Sequence, residues 1–432
     1  MKTARQVALE SLNKINLKGG YSNIVVDNMI NVASLDSRDS AFATMLVYGV
    51  VERQITLDYI ISKYSNIAIS NIEPIILQIL RLGIYQILFM DSVPDHAAVS
   101  ESVELAKRYK KSKATGFINA VLRSSLRNKN KLLDFSDVKD TAHRMSLLYS
   151  SPLWLTKMWM TDYGEKKTEE FLKSSVGRAP TFARVNTLKT SPEELIQILQ
   201  GEGIEAYNHE FENCIVLETT SLAIKSDAFK KGLFHIQDLA SQICIKYADI
   251  KPDFTVIDVC SAPGGKAFTA AQYMNNKGIL LSFDLHEKRV KLIQEGASRL
   301  GLSCIQTNVG DAMVFNDTLP LADVVLCDVV CSGLGVIRRK PETKYKNPED
   351  LKRLPEIQKK IINNVSKYVK IGGTIIYSTC TVNRKENEQV VESFLKENDN
   401  FTYADKEQKC ITLFGNDNNS DGFFMCKCKR LW

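Results

Sequence analysis

The sequence predicts a multidomain chain in three pieces of different fold class: an all-α bundle over residues 1–140, a small α+β linker domain over 145–240, and an α/β domain over 241–432. Two observations carry this. Up to about residue 130, apolar residues recur at spacings of three and four, the period of helices with one buried face. From about residue 241, short apolar runs alternate with helical stretches, as in a parallel sheet covered on both faces. At 432 residues and 44% hydrophobic content, the chain can bury more than one core.

The helical period is clearest in "AFATMLVYGVVERQITLDYIISKY" and "EPIILQILRLGIYQILFM". Pro94 breaks it, "HAAVSESVELAKRY" resumes it with a face of Ala98, Val99, Val103 and Ala106, and "TGFINAVLRSSLR" closes the bundle. Ser150-Ser151-Pro152 and Pro180 then interrupt the chain before the strand-like "TFARVNTL". "SPEELIQILQGEGIEA" opens with a Ser-Pro-Glu-Glu helix start and stops at Gly201. Short strands at "CIVLE" and "GLFHIQD" complete the small α+β unit.

In the last piece the expected strands are "TVIDVC", "GILLSFD", "CIQTN", "DVVLCDV" and "TIIYST", with helices such as "EKRVKLIQEGASRLG" between them. Ligands of such sheets bind at the carboxyl ends of the strands. Cys331 and Cys380 each follow the carboxyl end of an apolar strand. Matching cysteines in two strands call for chemistry.

Composition excludes several classes. No segment reaches the roughly 18 apolar residues of a membrane span, and "MKTARQVALESLNKINLK" lacks a signal-peptide core, so a mature cytoplasmic protein is expected. Ten cysteines spread over the chain do not form a disulfide framework. Neither Cys327/Cys331 nor Cys426/Cys428 makes a CxxC pair, and the five histidines are dispersed, so no metal is expected. The net charge of +6 is unevenly placed: Lys107 to Lys131 holds nine basic residues and no acid. That window suits either a phosphate backbone or a solvated helix face.

"VIDVCSAPGGKAFTAAQ" reads as strand, tight glycine turn and helix. Gly264 and Gly265 let a ligand approach the backbone, and the helix start offers free N–H groups. The turn is neither a Walker A loop nor GxGxxG. Asp284 lies 19 residues after Gly265, where a carboxylate can bind a ribose diol. Asp311 follows the third strand, suited to an adenine amino group, and Asp328 follows the fourth. Three carboxylates after successive strands suit an adenosine without phosphates, so S-adenosylmethionine fits better than NAD or ATP. A turn or helix cap is the alternative for any one of them.

A thiolate beside such a cofactor has a specific use. Carbon 5 of cytosine is a poor nucleophile, and thiolate addition at carbon 6 makes it enamine-like and able to accept a methyl group. A carboxylic acid near ring nitrogen 3, with Asp328 available, would stabilise the adduct. Two cysteines can divide attack and release.

The segments "DVCSAPGGK", "DVVCSGLGVIRRKPETK" and "STCT" resemble the signatures of RNA cytosine-C5 methyltransferases. The resemblance implies Cys380 as nucleophile, Cys331 as release residue, and a cofactor site at Cys260, Ser261, Ala262, Pro263, Gly264, Gly265, Lys266, Asp284, Asp311 and Asp328. "FARVNTLK", "GLFHIQDLAS" and "DGFFM" resemble its flanking pieces. "RLGIYQILFMDSVPDHAAVSESVELAK" with "GFINAVLR" is similar to the RNA-binding antitermination factor NusB. Together the pieces resemble the bacterial 16S ribosomal RNA cytosine-C5 methyltransferase family of RsmB, Sun or Fmu type. This implies a NusB-like bundle, a small α+β domain and a Rossmann-like S-adenosylmethionine-dependent catalytic domain. It implies 16S ribosomal RNA, free or early in assembly, as partner, with no membrane and no implied oligomer. Transfer RNA as substrate, or a non-catalytic RNA-binding factor, are the competing readings. The chain departs from the family in having Val330 where proline usually precedes the release cysteine. Cys244, Cys260, Cys304 and Cys327 also read as small core residues, with Cys426 and Cys428 on a final strand. Arg338, Arg339, Lys340 and Lys344 suit either RNA phosphates or an ordinary basic loop.

Overall fold

A computed structural model describes residues 2–18 and 22–432. The chain divides into two compact units, Met1–Gly177 with Ile337–Lys346, and Arg178–Val336 with Asn347–Trp432.

The first unit is helical, built from Ala4–Lys18, Ser22–Ala33, Ser37–Tyr64, Pro74–Phe89, Asp95–Arg108 and Thr115–Arg127, followed by Thr141–Leu148, Leu153–Tyr163 and Glu165–Ser174. The local starts are those the residue types favour. Asp36 accepts from the Asp39 N–H, Asp140 accepts from the His143 N–H, and Pro74 occupies a first-turn position where its missing N–H costs nothing. Leu46, Val50, Leu57, Ile61, Ile79, Ile84, Ile118 and Leu122 pack into one core. Buried Arg81 makes a two-pronged 2.6 Å contact with Asp58.

The expected basic loop behaves differently from its sequence reading. Lys344 lies inside the first unit, 2% exposed, and its Nζ donates to the Glu52 carbonyl at 2.6 Å. Beside it the Tyr345 hydroxyl donates to the Val51 carbonyl at 2.8 Å. Lys344 is therefore a buried strap residue and not a phosphate contact. Arg338 and Arg339 are half-buried and Lys340 is exposed.

Among the described residues the second unit holds two sheets. β1 (Thr181–Val185), β2 (Ala206–Asn208), β3 (Cys214–Leu217) and β4 (Phe234–Ile236) form an antiparallel sheet in the order β2-β3-β1-β4. The helix Pro192–Gly201 lies between β1 and β2 in the chain, with a full capping box between Ser191 and Glu194. β5 (Thr255–Asp258), β6 (Ile279–Asp284), β7 (Ile305–Val309), β8 (Ala322–Asp328) and β9 (Val369–Thr379) pair in parallel. β10 (Phe401–Tyr403), β11 (Cys410–Leu413) and β12 (Phe423–Arg430) complete an eight-stranded sheet, ordered β10-β12-β9-β8-β5-β6-β7 with β11 beside β12.

The purely parallel expectation is corrected at one edge, because β12 runs antiparallel to β9, β10 and β11. The short connection from Leu413 to Phe423, which holds only the one-turn helix Gly415–Asn418, reverses the chain, and that makes β11 and β12 antiparallel. Alternation along β8 sends Val324 and Leu326 into the core on one face, Val325 and Cys327 into the other. Asp328 continues the first set. It therefore faces the side covered by the helix Gly265–Tyr273.

Candidate active site

The parallel register of β8 and β9 explains why two cysteines occur at matching places. Asp328 pairs with Ser378, so the residues beyond them leave the sheet side by side. The Sγ atoms of Cys331 and Cys380 meet at 3.3 Å. That is contact, well beyond the roughly 2.05 Å of a disulfide, and both cysteines are free. The opposite shifts of the two thiols favour Cys331 as the donor and Cys380 as the acceptor. This hydrogen bond lowers the Cys380 thiol, with Lys266 adding to it, while burial and Asp328 oppose. The same bond, then burial and the Cys380 charge, raises Cys331 well above its ordinary value. The pair is thus polarised, with Cys380 favoured as thiolate and Cys331 as thiol.

Lys266 and Asp328 sit beside it. Lys266 Nζ lies 2.7 Å from Asp328 Oδ2, and the Ser378 hydroxyl donates to Asp328 Oδ1 at 2.8 Å. Burial is the largest single influence on the Lys266 ammonium and lowers it, but Asp328, Cys244 and Asp258 together outweigh it and the pKa is raised. Asp328 therefore stands in the site held between Lys266 and Ser378.

The glycine turn is shaped for close approach. Gly264 has φ +106°, where a side chain is strained, and a Cβ there would lie 2.4 Å from the Phe268 ring. Gly265 begins the helix to Tyr273. Around the turn, Cys260 and Gly265 are partly buried, Ser261 and Ala262 are buried, and Pro263 is exposed. Burial raises the Cys260 thiol, so it enters as a neutral wall. Asp284, 3% exposed, accepts from the His286 N–H and pairs with Arg289 at 3.0 Å. Arg289 also donates to the Ala262 carbonyl at 2.7 Å, tying β6 to the turn. Asp311 folds its carboxylate back onto the Met313 N–H and borders a cavity of about 370 Å³ with Phe283, Gly310, Ala312 and Phe315.

The residues present fit an adenosine-type ligand with a charged amino-acid end. Asp284 and Asp311 flank the strand ends, and polar atoms beneath the turn lack well-formed hydrogen bonds: the Asp258 carboxylate, Ser261 Oγ, Ser282 Oγ and Gln237 Nε2. Such orphans are costly unless a bound polar group meets them. Burial, then the Asp328 charge, raises Asp258 to about 7. Among the described residues no group of three or more His, Cys, Asp or Glu is placed to hold a metal. None of the described helices is long and apolar enough to cross a membrane.

Comparison with known proteins decides the family. Residues 247–429 match the model described as 16S rRNA methyltransferase RsmB/F, 2–127 that of the NusB family, and 151–223 that of the RsmF/B-like ferredoxin-like domain. Among similar proteins is the probable ribosomal RNA small subunit methyltransferase B of Bacillus subtilis, 35% identical over 99% of both chains. The chain belongs to the ribosomal RNA small subunit methyltransferase B family. Its Synechocystis relative of the same name is 30% identical over the full length of both. The crystal structure of PH0851 shares the fold, with a TM-score of 0.79, 23% identity, and 98% and 97% of the two chains covered.

For this member of the methyltransferase B family, the structure brings Cys380, Cys331, Asp328 and Lys266 together, with the 260–265 turn on the adjoining strand end. Sequence reasoning missed Ser378, Arg289, Asp258 and a buried cluster of Gln358, Asn383 and Glu386. The signal for the last was "TVNRKENEQV", a polar run directly after Cys380 that includes Asn383, Glu386 and Asn387, all almost fully buried. Cys244, Cys304 and Cys327 are core residues, as expected, and so are Cys426 and Cys428.

Proposed function

We propose that the chain methylates carbon 5 of a cytosine in 16S ribosomal RNA, through a covalent adduct between Cys380 and carbon 6 of the base. The single observation that supports this best is the polarised 3.3 Å cysteine pair beside the Lys266–Asp328 ion pair. S-adenosylmethionine, when bound at residues 260–266, Asp284 and Asp311, supplies the methyl group as an electrophilic sulfonium.

A target base must leave its stack to reach this pocket. In this reading the Cys380 thiolate attacks carbon 6, ring nitrogen 3 takes a proton from solvent, and the Asp328 carboxylate stabilises that proton. Lys266 and Ser378 keep the carboxylate from turning away. Once Cys380 is bonded to carbon, its hydrogen bond and charge no longer raise Cys331, and the Cys331 thiol gives its proton to solvent and becomes a thiolate. Cys331 then takes the hydrogen from carbon 5. The electron pair of the carbon 5–hydrogen bond restores the carbon 5–carbon 6 double bond, the Cys380–carbon 6 bond breaks, Cys380 leaves as thiolate, and nitrogen 3 returns its proton to solvent. For the helical unit we propose contact with RNA phosphates through Lys110, Lys113, Arg123 and Arg127, since Lys107, Lys111 and Lys129 pair with Glu104, Glu73 and Asp95.

The test uses tritiated S-adenosylmethionine and unmethylated 16S ribosomal RNA. Wild type should label carbon 5, Cys380→Ala should transfer nothing, and Cys331→Ala should accumulate a protein–RNA adduct on a denaturing gel. Methylation by Cys380→Ala would remove it from the nucleophile role. If wild type labels transfer RNA instead, the substrate assignment falls and the chemistry stands.

A further inference from the structure

The two cysteines sit on separate loops, and something must set their separation. Glu386 lies between those loops and is fully buried. Its Oε2 accepts from the Ser332 N–H at 2.8 Å and from Gln358 Nε2 at 3.0 Å. Its Oε1 accepts from Asn383 Nδ2 at 2.9 Å. Gln358 Nε2 also donates to the Val330 carbonyl at 2.9 Å. The residues on both sides of Cys331 are thereby tied to one carboxylate, and that carboxylate sits six residues beyond Cys380. Its backbone is anchored too, since the Tyr377 hydroxyl donates to the Glu386 carbonyl at 2.6 Å. Among the described residues no basic side chain pairs with it.

This is an expensive arrangement. A buried charge with only neutral donors is tolerated where every donor is well aimed. Glutamine has nearly the same shape but would turn an amide N–H2 toward one of the three donors. The site therefore calls for an acceptor-only group at this position. Val330, not proline, precedes Cys331, so no ring fixes the backbone there, and the clamp holds Val330 and Ser332 instead.

Resting on the two-cysteine reading above, we propose that Glu386 is a positioning residue of the methyl transfer: its carboxylate locks the Cys331 loop to the Cys380 loop and sets the two sulfurs at contact distance. The nearby negative charge also helps keep Cys331 a thiol, the state in which it supports the Cys380 thiolate.

The test compares full-length wild type, Glu386→Gln and Gln358→Leu in adduct formation on unmethylated 16S ribosomal RNA. Alongside, iodoacetamide labelling of Cys331 is followed against pH in a Cys380→Ser background, read on the Cys331 peptide by mass spectrometry. Glu386→Gln should slow adduct formation at least tenfold and move Cys331 labelling to lower pH. Gln358→Leu keeps the charge and cuts the tether, so it should slow adduct formation without moving the labelling curve. Adduct formation within twofold of wild type in both variants overturns the proposal, as does an unmoved labelling curve in a folded Glu386→Gln. Should Glu386→Gln fail to fold, Gln358→Leu alone decides: unchanged kinetics overturns, slowed kinetics supports. If wild type itself forms no adduct, the covalent reading fails, and the labelling curve still judges Glu386.

Discussion

Lys266 shows how one side chain can hold a site together. Its side chain is 13% exposed and its ammonium neutralises Asp328, which would otherwise stand beside Asp258 with no cation near either. Lys266→Met should abolish detectable methylation and cost about 1–3 kcal/mol, less than a fully buried pair because Asp328 keeps some exposure. Single-turnover transfer and urea unfolding measure the two effects, and normal transfer in Lys266→Met would contradict the assigned role. Asp258 gives a pH test. Its pKa is raised to about 7, mainly by burial, so between about pH 4 and 7 the folded chain binds more protons than the unfolded one. Stability then falls as pH rises through that window, by up to about 4 kcal/mol at 1.36 per unit. Asp258→Asn should flatten that slope in urea titrations at pH 5 and pH 8, and an unchanged slope would locate the titration elsewhere.

At the scale of elements, the loop after Cys331 depends on Gly335. Its N–H donates to the Cys380 carbonyl at 3.0 Å, and its carbonyl accepts from the Gly422 N–H at 2.9 Å. A Cβ there would lie 1.9 Å from the Gly422 oxygen and 2.8 Å from that of Cys380. Both are backbone atoms with little room to retreat, so Gly335→Ala should cost about 1–3 kcal/mol and slow adduct formation. A melting curve and an adduct assay check it together. This loop also marks where legibility ends. The strands and the long helices followed from periodicity, and Cys331 and Cys380 followed from strand ends. The reversed β12 did not, because strand direction is set by connections that periodicity does not encode. Glu386 did not either: a carboxylate in a polar run reads as surface until the register of β8 and β9 folds that run inward.

Across the whole molecule, the clearest mismatch between composition and structure is Lys344. It was legible only as one member of a basic stretch, because a sequence shows charge and not the path of the chain. The chain leaves the second unit after Val336, and Lys344 is interred in the first, facing Glu52 and Arg53. Burial lowers its pKa to about 7, with Arg53 acting in the same direction and Glu52 opposing. The folded chain therefore binds fewer protons than the unfolded chain between about pH 7 and the ordinary lysine range. By linkage, stability must rise with pH across that window. The penalty of burying the ammonium is fully present below pH 7 and is relieved as the amine goes neutral. From pH 7 to pH 9 the gain should be roughly 2–3 kcal/mol at 1.36 per unit. Lys344→Met loses the hydrogen bond to the Glu52 carbonyl, worth about 1 kcal/mol, and also loses the pH dependence. Urea unfolding of both proteins at pH 7, 8 and 9 isolates the effect, because every other titrating group is common to the pair. Wild type should gain on the variant steadily with pH, whereas parallel curves would mean that Lys344 keeps an ordinary, charged ammonium in the fold.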